Sequence, residues 1–436
     1  MSLLSAILSW FRRRPARPQP VPPAPTERAI AVVVPGIAGA SVMLGEFMGD
    51  TNADGYICFN HVPVSQTRIR LSIGAPGYEH YVLLVELPAD ARNYNLMVTG
   101  AAPAGPHQIA LPALVPTIVA LPALVTTGAV FGLATGERWT AIECTDFQLF
   151  QRFLRGEDLS TVLQQRRDLG FNLLRVFGMC AQMFRLFPQE YGDRYWSGLV
   201  DFCALVARAG LYVEFVVFAD ATLVMPEKED QLRHWARCCE ILRVSLITNL
   251  IVELGNELSQ PVNRLVSISE LVQPPDLIVS HGSNGSQAEP VRPAWSYETF
   301  HTNDAPEWTR KVGHNAMEWA NGGAGFSGSG RPVLANENTR CPDRFQSPQQ
   351  AFDAAAGAAL LCAGSCFHSV HGKSSELFDE VELACARAWV EGAQSVPLEF
   401  QAGSYRHRVE LETPDILRAY DRVLPDGRSF VVRIRR

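Results

Sequence analysis

The hydrophobic pattern divides this chain of 436 residues into two textures. From about Ile30 to Val98 it is strand-like. Short β-forming runs (AIAVVV, ASVML, YICF, RIRLSI, YVLLVEL, NYNLMV) are separated by Gly, Asp and Pro, the punctuation of turns. In Thr51-Asn52-Ala53-Asp54-Gly55-Tyr56 the Asp-Gly pair supplies positive φ, and Ala75-Pro76-Gly77-Tyr78 marks another turn. Six or seven short strands in such a span predict a small β-sandwich over residues 28–100.

From about Gly128 apolar runs alternate with amphipathic segments of helical period. AVFGL, FNLLRVF, LYVEFVVF, LIVELGNE, DLIVSHG, YETFHT, RPVLANE and CFHSV read as eight strands. Between them LSTVLQQRRDL (stopped by Gly170), YWSGLVDFCALVARAG (capped by Gly210), HWARCCEILRVSL and AFDAAAGAALLCAG read as helices. This alternation means a parallel sheet with helical crossovers, and eight strands fit the roughly 250 residues of a TIM barrel. The predicted fold is therefore α/β: a (β/α)8 TIM barrel over 128–395, an N-terminal β-sandwich, and a short C-terminal β appendage at 396–436 (PLEF, HRVELE, RSFVVRIRR).

Two segments fit neither texture. Residues 1–27 open with apolar MSLLSAILSWF, continue with Arg12, Arg13 and Arg14, and end in the Pro-rich PARPQPVPPAP, which favours polyproline geometry. The charge follows the apolar stretch, the reverse of a signal peptide, and the stretch is shorter than the about 20 residues that span a bilayer. An interfacial anchor, a docking helix and a frayed terminus all suit it. In residues 101–127 LPALV at 111–115 recurs at 121–125 among prolines at 103, 106, 112, 116 and 122. Such proline density excludes a regular helix or a central strand, so this reads as an apolar linker covered by its own barrel or by a neighbour. Residues 1–14 and 108–126 are the candidate membrane or assembly contacts.

Composition narrows the partners. An apolar fraction of 47% supplies a large core, and 19% charged residues with net charge −7 leave no basic field for nucleic acid. The ten cysteines match no zinc spacing, and Cys58, Cys203 and Cys362 sit in apolar runs, which predicts reduced, buried thiols and folding in a reducing compartment.

Barrel chemistry forms at the C-terminal ends of the strands, where an apolar run has no packing reason to end in a charge. The fourth strand ends in Asn256-Glu257, the seventh in Glu337, and the second carries Arg175. The interval between the two glutamates fits three β/α units of roughly 30 residues each, so the carboxyls would face each other across the barrel mouth. Glycosidic cleavage needs such a pair: one protonated for the departing oxygen, the other to stabilise or attack the oxocarbenium-like centre. Arg175 beneath would favour the ionised nucleophile. Asn-Glu after an apolar run is common and Arg175 alone could be structural; their joint order and spacing carry the reading. Of Trp139, Trp295, Trp308 and Trp319, with core packing the default for each, Trp295 is placed among the substrate-binding residues. His368 and His371 lack a ligand partner at metal spacing, so neither metal nor cofactor is expected. Gly322-Gly323-Ala324-Gly325 lacks a following phosphate-binding helix and reads as an active-site loop.

These motifs resemble those of the clan A glycoside hydrolases, the cellulase-like and mannanase-like enzymes, over about residues 128–390. The matching runs are Gly170-Phe171-Asn172-Leu173-Leu174-Arg175-Val176-Phe177, Gly255-Asn256-Glu257 and Pro332-Val333-Leu334-Ala335-Asn336-Glu337. The resemblance implies a retaining double displacement on a β-linked poly- or oligosaccharide, with carboxyls about 5–5.5 Å apart. Glu257 matches the acid/base, Glu337 the nucleophile, Asn256 the ligand of the sugar 2-hydroxyl, Arg175 the brace of the nucleophile, and His301 the aromatic or histidine position beside it. Two departures stand out: no tryptophan follows the eighth strand in Cys366-Phe367-His368-Ser369-Val370-His371, and Asp220 is the candidate polar residue after the third. The N-terminal pattern T-N-A-D-G-Y-I-C-F…V-P…APGYE is similar to carboxypeptidase regulatory-like (transthyretin-like) sandwiches and implies an accessory module. The rival reading is a non-catalytic carbohydrate-binding or structural component of a cell-surface or virion-like assembly, built on the same barrel.

Overall fold

The computed structural model describes residues 26–435 apart from 35–36, 38, 76–77, 79–80, 90–91, 99–107, 112–120, 246, 259, 265, 284–294, 302–329, 338–339, 344–346, 402–408 and 411–415. The N-terminal apolar and Pro-rich segments, Trp308, Trp319 and the Gly322–Gly325 loop lie outside the described residues. The chain forms two compact units.

The N-terminal strands form two four-stranded sheets. One runs in the order Tyr56–Pro63, Glu27–Val33, Tyr94–Val98, Gln108–Leu111; the other in the order Phe47–Asp50, Ser41–Leu44, Arg68–Gly74, Tyr81–Glu86. All six β-forming runs are strands. The predicted turn closes on Asn52, whose side-chain oxygen accepts from the Asp54 and Tyr56 amides at 3.0 and 2.9 Å. Gly55 sits at φ 74°, and a Cβ there would lie 2.0 Å from the Val34 carbonyl oxygen, so only glycine fits.

The segment read as a linker is partly strand. Gln108–Leu111 forms an edge of the first sheet, and Leu124–Thr127 an edge of a three-stranded sheet in the second unit. The prolines flank these short edge strands instead of interrupting a central one, which is where proline is tolerated.

The second unit is built on eight parallel strands: β1 (Ala141–Thr145), β2 (Leu173–Phe177), β3 (Tyr212–Phe218), β4 (Leu250–Gly255), β5 (Val279–Ser280), β6 (Glu298–His301), β7 (Val333–Glu337) and β8 (Gly364–Phe367). Their order, β5-β4-β3-β2-β1-β8-β7-β6, makes a nearly closed barrel. At the seam the Ser296 amide donates to the Val279 carbonyl at 2.9 Å, and the Ser280 and Thr299 hydroxyls meet at 3.3 Å. The helices Ser160–Leu169, Asp193–Arg208, Lys228–Val244 and Pro348–Leu361 match those expected, and Gly170 ends the first at φ 96°. A further helix, Glu380–Gln394, opens on an Asp379/Glu382 capping box.

AVFGL is not the first barrel strand. Val130–Leu133 is the centre of the antiparallel sheet formed with Leu124–Thr127 and Arg138–Trp139, reached through turns at Gly128 and Gly136 with φ 57° and 93°. The true β1 is AIECT, whose apolar run is broken by an inward-facing glutamate. The small sheet floors the barrel: Leu124 and Phe131 pack with Ala141, Leu173, Tyr212, Ile251, Tyr297 and Leu334. Phe131 meets Tyr297 edge-on at 5.6 Å, and Trp139 meets Tyr212 at 5.2 Å. Tyr212 donates to the Pro122 carbonyl at 2.8 Å and Thr248 to that of Leu121 at 2.9 Å. Residues 121–125 therefore lie against their own barrel.

At the C-terminus Val409–Glu410, Ile416–Val423 and Ser429–Arg435 form an antiparallel sheet. PLEF is a 3-10 turn, Leu398–Phe400, entered through Pro397, and not a strand. The Arg435 amide ties the sheet to the helix Pro348–Leu361 by donating to Asp353 at 2.7 Å. None of the ten cysteines is in a disulfide; eight are buried, Cys239 is half-buried, and Cys58 is exposed because it sits on the outward face of its strand. Among the described residues no helix is long and apolar enough to cross a membrane.

Phe131 is fully buried in the floor. Phe131→Ala is expected to destabilise the second unit by about 3–5 kcal/mol, read as a lowered urea midpoint in far-UV circular dichroism. A loss under about 1 kcal/mol would show that the small sheet is not part of the barrel core.

Candidate active site

The barrel strands alternate with period two, and the inward residues rise in layers. Above the floor, two residues further along each strand, stand Glu143 on β1, Arg175 on β2, Glu214 on β3, Glu253 on β4, Thr299 on β6 and Asn336 on β7, all buried. This polar ring supports the residues at the mouth.

Arg175 is its centre. Nε donates to Glu253 Oε2 at 2.8 Å, NH1 to Glu337 Oε2 at 2.9 Å and NH2 to Asn256 Oδ1 at 2.9 Å, while Glu214 Oε2 lies 3.4 Å from Nε. Phe147 and Phe177, stacked at 4.1 Å, flank the guanidinium at 5.3 Å each. The register brings Glu337 inward through a bulge. Phe300 pairs with Ala335 but His301 pairs with Glu337, so Asn336 is an extra residue. Such a bulge re-aims a side chain; here two consecutive residues reach the interior. Asn336 Nδ2 donates to Glu253 and Glu214 at 2.9 and 3.2 Å while Glu337 meets Arg175.

Glu257 follows β4 with φ 46°, a left-handed conformation that costs a non-glycine residue on the order of 1 kcal/mol and collects at functional sites. The chain beyond β5 must pass close beneath it. A Cβ on Gly282 would lie 1.9 Å from the Gly255 carbonyl oxygen, so glycine is required there. Gln260 donates to Glu257 Oε2. His301 Nδ1 lies 3.5 Å from Glu257 Oε1 and 3.8 Å from Glu337 Oε2, and His368 Nε2 lies 3.9 Å from Glu337 Oε1. One oxygen of Glu257, one of Glu337 and a His301 nitrogen all fall within 4.8 Å of one another.

Burial alone would raise the Glu337 carboxyl, but His301, His368 and Arg175 outweigh it and hold it well below the ordinary range. Burial works against a proton on His301, yet Glu337 and Glu257 prevail and raise it. Burial drives His368 down to about 3, so it is neutral near pH 7. In the ring, burial and then Glu214 raise Glu143 strongly, and burial followed by repulsion from Glu253 raises Glu214 to about 7.

The structure thus gathers Glu257, Glu337, Asn256, Arg175 and His301 at one mouth. Trp295 is not among the residues that meet there: its half-buried ring stacks with Trp235 at 6.0 Å and meets His281 edge-on at 4.4 Å. Asp220 is spent on backbone, accepting from the Ala181 and Gln182 amides at 2.9 and 2.7 Å. Sequence reasoning missed Glu143, Glu214, Glu253, Asn336 and the role of His368. The available signal was a polar residue recurring two positions after the floor residue on six strands. A divalent cation could use the Glu257, His301 and Glu337 atoms. The second possible donor group, His371, Asp379 and Glu382, is engaged in the helix cap and a 2.6 Å His371–Glu382 contact.

No protein-family model matches the chain, and no curated protein matches it. Among solved structures it is similar to a family 5 glycoside hydrolase from Bacteroides vulgatus, at 13% identity over 58% of this chain and 64% of that one, TM-score 0.43. It is similar also to an exo-β-1,4-mannosidase from an Opitutaceae bacterium, at 15% over 62% and 63%, TM-score 0.43. A β-glucanase from Saccharophagus degradans in complex with cellotetraose is a third, at 12% over 65% and 97%, TM-score 0.43. The chain spans less than two thirds of the length of the first two. At these identities the likeness concerns the fold alone.

Glu337 and Glu214 leave opposite marks on stability against pH. Glu337 titrates below its unfolded value of about 4.3, so its contribution is present above that pH and is lost as pH falls toward the native value. Glu214 titrates at about 7 in the folded chain, so between about pH 4.3 and 7 the folded chain holds a proton the unfolded one has released, and stability falls as pH rises. Glu214→Gln is expected to exceed wild type by on the order of 2 kcal/mol at pH 8 and to match it at pH 4, measured by urea unfolding. A variant less stable at pH 8 would show that ionised Glu214 is held favourably.

Proposed function

We propose that this protein is a retaining glycoside hydrolase acting on a β-linked poly- or oligosaccharide, with Glu337 as nucleophile and Glu257 as general acid/base. The observation that carries the reading is the carboxyl pair at the barrel mouth, with oxygens within 4.8 Å. That upper bound is short of the roughly 6.5–9.5 Å that admits a water between the carboxyls of an inverting enzyme.

The two carboxyls are unequal in a way that suits unequal roles. Arg175 bonds Glu337 and keeps it ionised, whereas Glu257 lies outside the reach of Arg175, with Gln260 donating to one oxygen and His301 Nδ1 3.5 Å from the other. Glu337 attacks the anomeric carbon while Glu257 gives its proton to the departing glycosidic oxygen, which takes the electrons of the broken bond. Glu257, now a carboxylate, removes a proton from water, and the resulting hydroxide displaces Glu337 from the glycosyl ester. Asn256 has its carbonyl fixed by Arg175, which leaves the amide hydrogens for the sugar 2-hydroxyl. The N-terminal unit serves as an accessory module.

The test is a panel of aryl β-glycosides and polysaccharides with wild type, Glu337→Ala and Glu257→Ala. The first variant should lose at least about 10³-fold in kcat and regain turnover with azide, forming a glycosyl azide of inverted configuration. The second should lose least on aryl glycosides with good leaving groups, which need no proton. Glycan binding without cleavage by wild type, unaffected by Glu337→Ala, would move the protein to the binding or structural class.

A further inference from the structure

Glu253 takes no part in the chemistry just described, yet donors from three other strands hold it. Its Oε2 accepts from Arg175 Nε at 2.8 Å and from Asn336 Nδ2 at 2.9 Å, and lies 2.7 Å from Arg175 NH2. Its Oε1 accepts from the Thr299 hydroxyl at 3.3 Å. Three other strands thus converge on it with donors, the bonding pattern of a carboxylate. Beyond a 3.4 Å approach to Glu214 within the ring, the guanidinium it holds donates at the mouth to Glu337 and Asn256.

We infer that Glu253 is the positioning residue of the site: it anchors Arg175 from below so that one guanidinium aims at the nucleophile and at the sugar-hydroxyl ligand together. The inference rests on the glycosidase reading for its kinetic consequences but not for its geometry.

Glu214 is the alternative anchor, and the distances decide against it. It lies 3.4 Å from Nε, against 2.7–2.8 Å for Glu253. It also bonds Tyr297 at 2.7 Å, and burial and Glu253 push it up to about 7, so it is largely uncharged in mildly acidic solution. Glu143 forms no ion pair with Arg175 among the described residues; its side chain faces Glu214 and Cys366. With the Glu253 charge removed, Glu214 ionises more readily and draws Arg175 down, away from Glu337.

This gives a sign that separates an anchor from a bystander. Deleting a negative neighbour by itself lowers the titration of Glu337. Losing the 2.9 Å contact with Arg175 raises it, and contact outweighs a charge on the far side of the guanidinium. Glu253→Gln, made in the full chain, is therefore followed by kcat and KM against pH on an aryl β-glycoside. The Glu337 carboxyl is followed directly by ¹³C NMR of glutamate-labelled protein, with its resonance assigned from Glu337→Gln.

The expected result is a fall in kcat of about 10- to 100-fold with little change in KM, and an upward move of about one unit in both the acidic limb and the Glu337 resonance. In Glu253→Gln/Glu214→Gln the competing carboxylate is gone, Arg175 returns to Glu337, and most of the loss is regained. An unchanged kcat, a Glu337 titration that is static or lower, or a double variant no better than the single would each overturn the inference. If Glu253→Gln does not fold, Glu253→Asp, which keeps the charge on an arm too short for the contact, is measured with the same signs. If wild type cleaves nothing on the panel, the glycosidase reading fails separately, and the ¹³C titration alone decides whether Glu253 is the anchor.

Discussion

A single buried guanidinium organises the upper half of this barrel. Arg175 is out of contact with water and within reach of three carboxylates and an amide. Removing one partner of a buried ion pair leaves a charge uncompensated at about 3–5 kcal/mol, while the intact pair adds little net stability. Such a network is therefore weak as cement and strong as a constraint. It specifies which strands must be neighbours and at what height, because β3, β4 and β7 each place an oxygen around one side chain of β2 whose donors have fixed geometry.

The constraint works because of what lies beneath it. The floor of Phe131, Tyr212, Tyr297 and Leu334 is apolar and closes the lower end of the barrel. Low polarity below the ring strengthens each charge–dipole contact and equally penalises any group without a partner. The ring answers by protonation: Glu143 and Glu214 are both raised, so carboxyl groups in excess of the one guanidinium stay neutral over part of the pH range. The mouth can then keep one strongly ionised carboxylate, Glu337, beside a second that Arg175 does not touch. Floor, ring and mouth form one electrostatic gradient along the barrel axis.

Most of this architecture is legible in the chain, and the exceptions share a physical cause. Apolar runs separated by helical segments give seven of the eight strands, and charged strand ends give Glu257, Glu337 and Arg175. AIECT is passed over because a buried glutamate interrupts it, and AVFGL is taken for β1 because a floor hairpin is as apolar as a barrel strand. The same blindness hides Glu214 within YVEFVVF and Glu253 within LIVELG: in strands buried on both faces the hydrophobic background is continuous, and a lone charge looks like noise. Trp295 is a different case. An aromatic near a strand suits sugar stacking and core packing alike, and the contact with Trp235 that the structure adds is not written in the pattern of the chain.

The bulge at Asn336 makes chain length itself part of the site. In a regular strand consecutive side chains take opposite sides, so Asn336 and Glu337 could not both look inward; one supernumerary backbone unit suspends that parity just where β7 reaches the mouth. Excising a single residue from Val333–Asn336 would restore even alternation while leaving the carboxylate's own identity untouched. The barrel would then have room for the amide that steadies Glu253 or for the carboxylate that meets Arg175, and not for both. Point substitutions probe the chemistry of these two positions, whereas an insertion or deletion of one residue would test the arithmetic that lets them coexist.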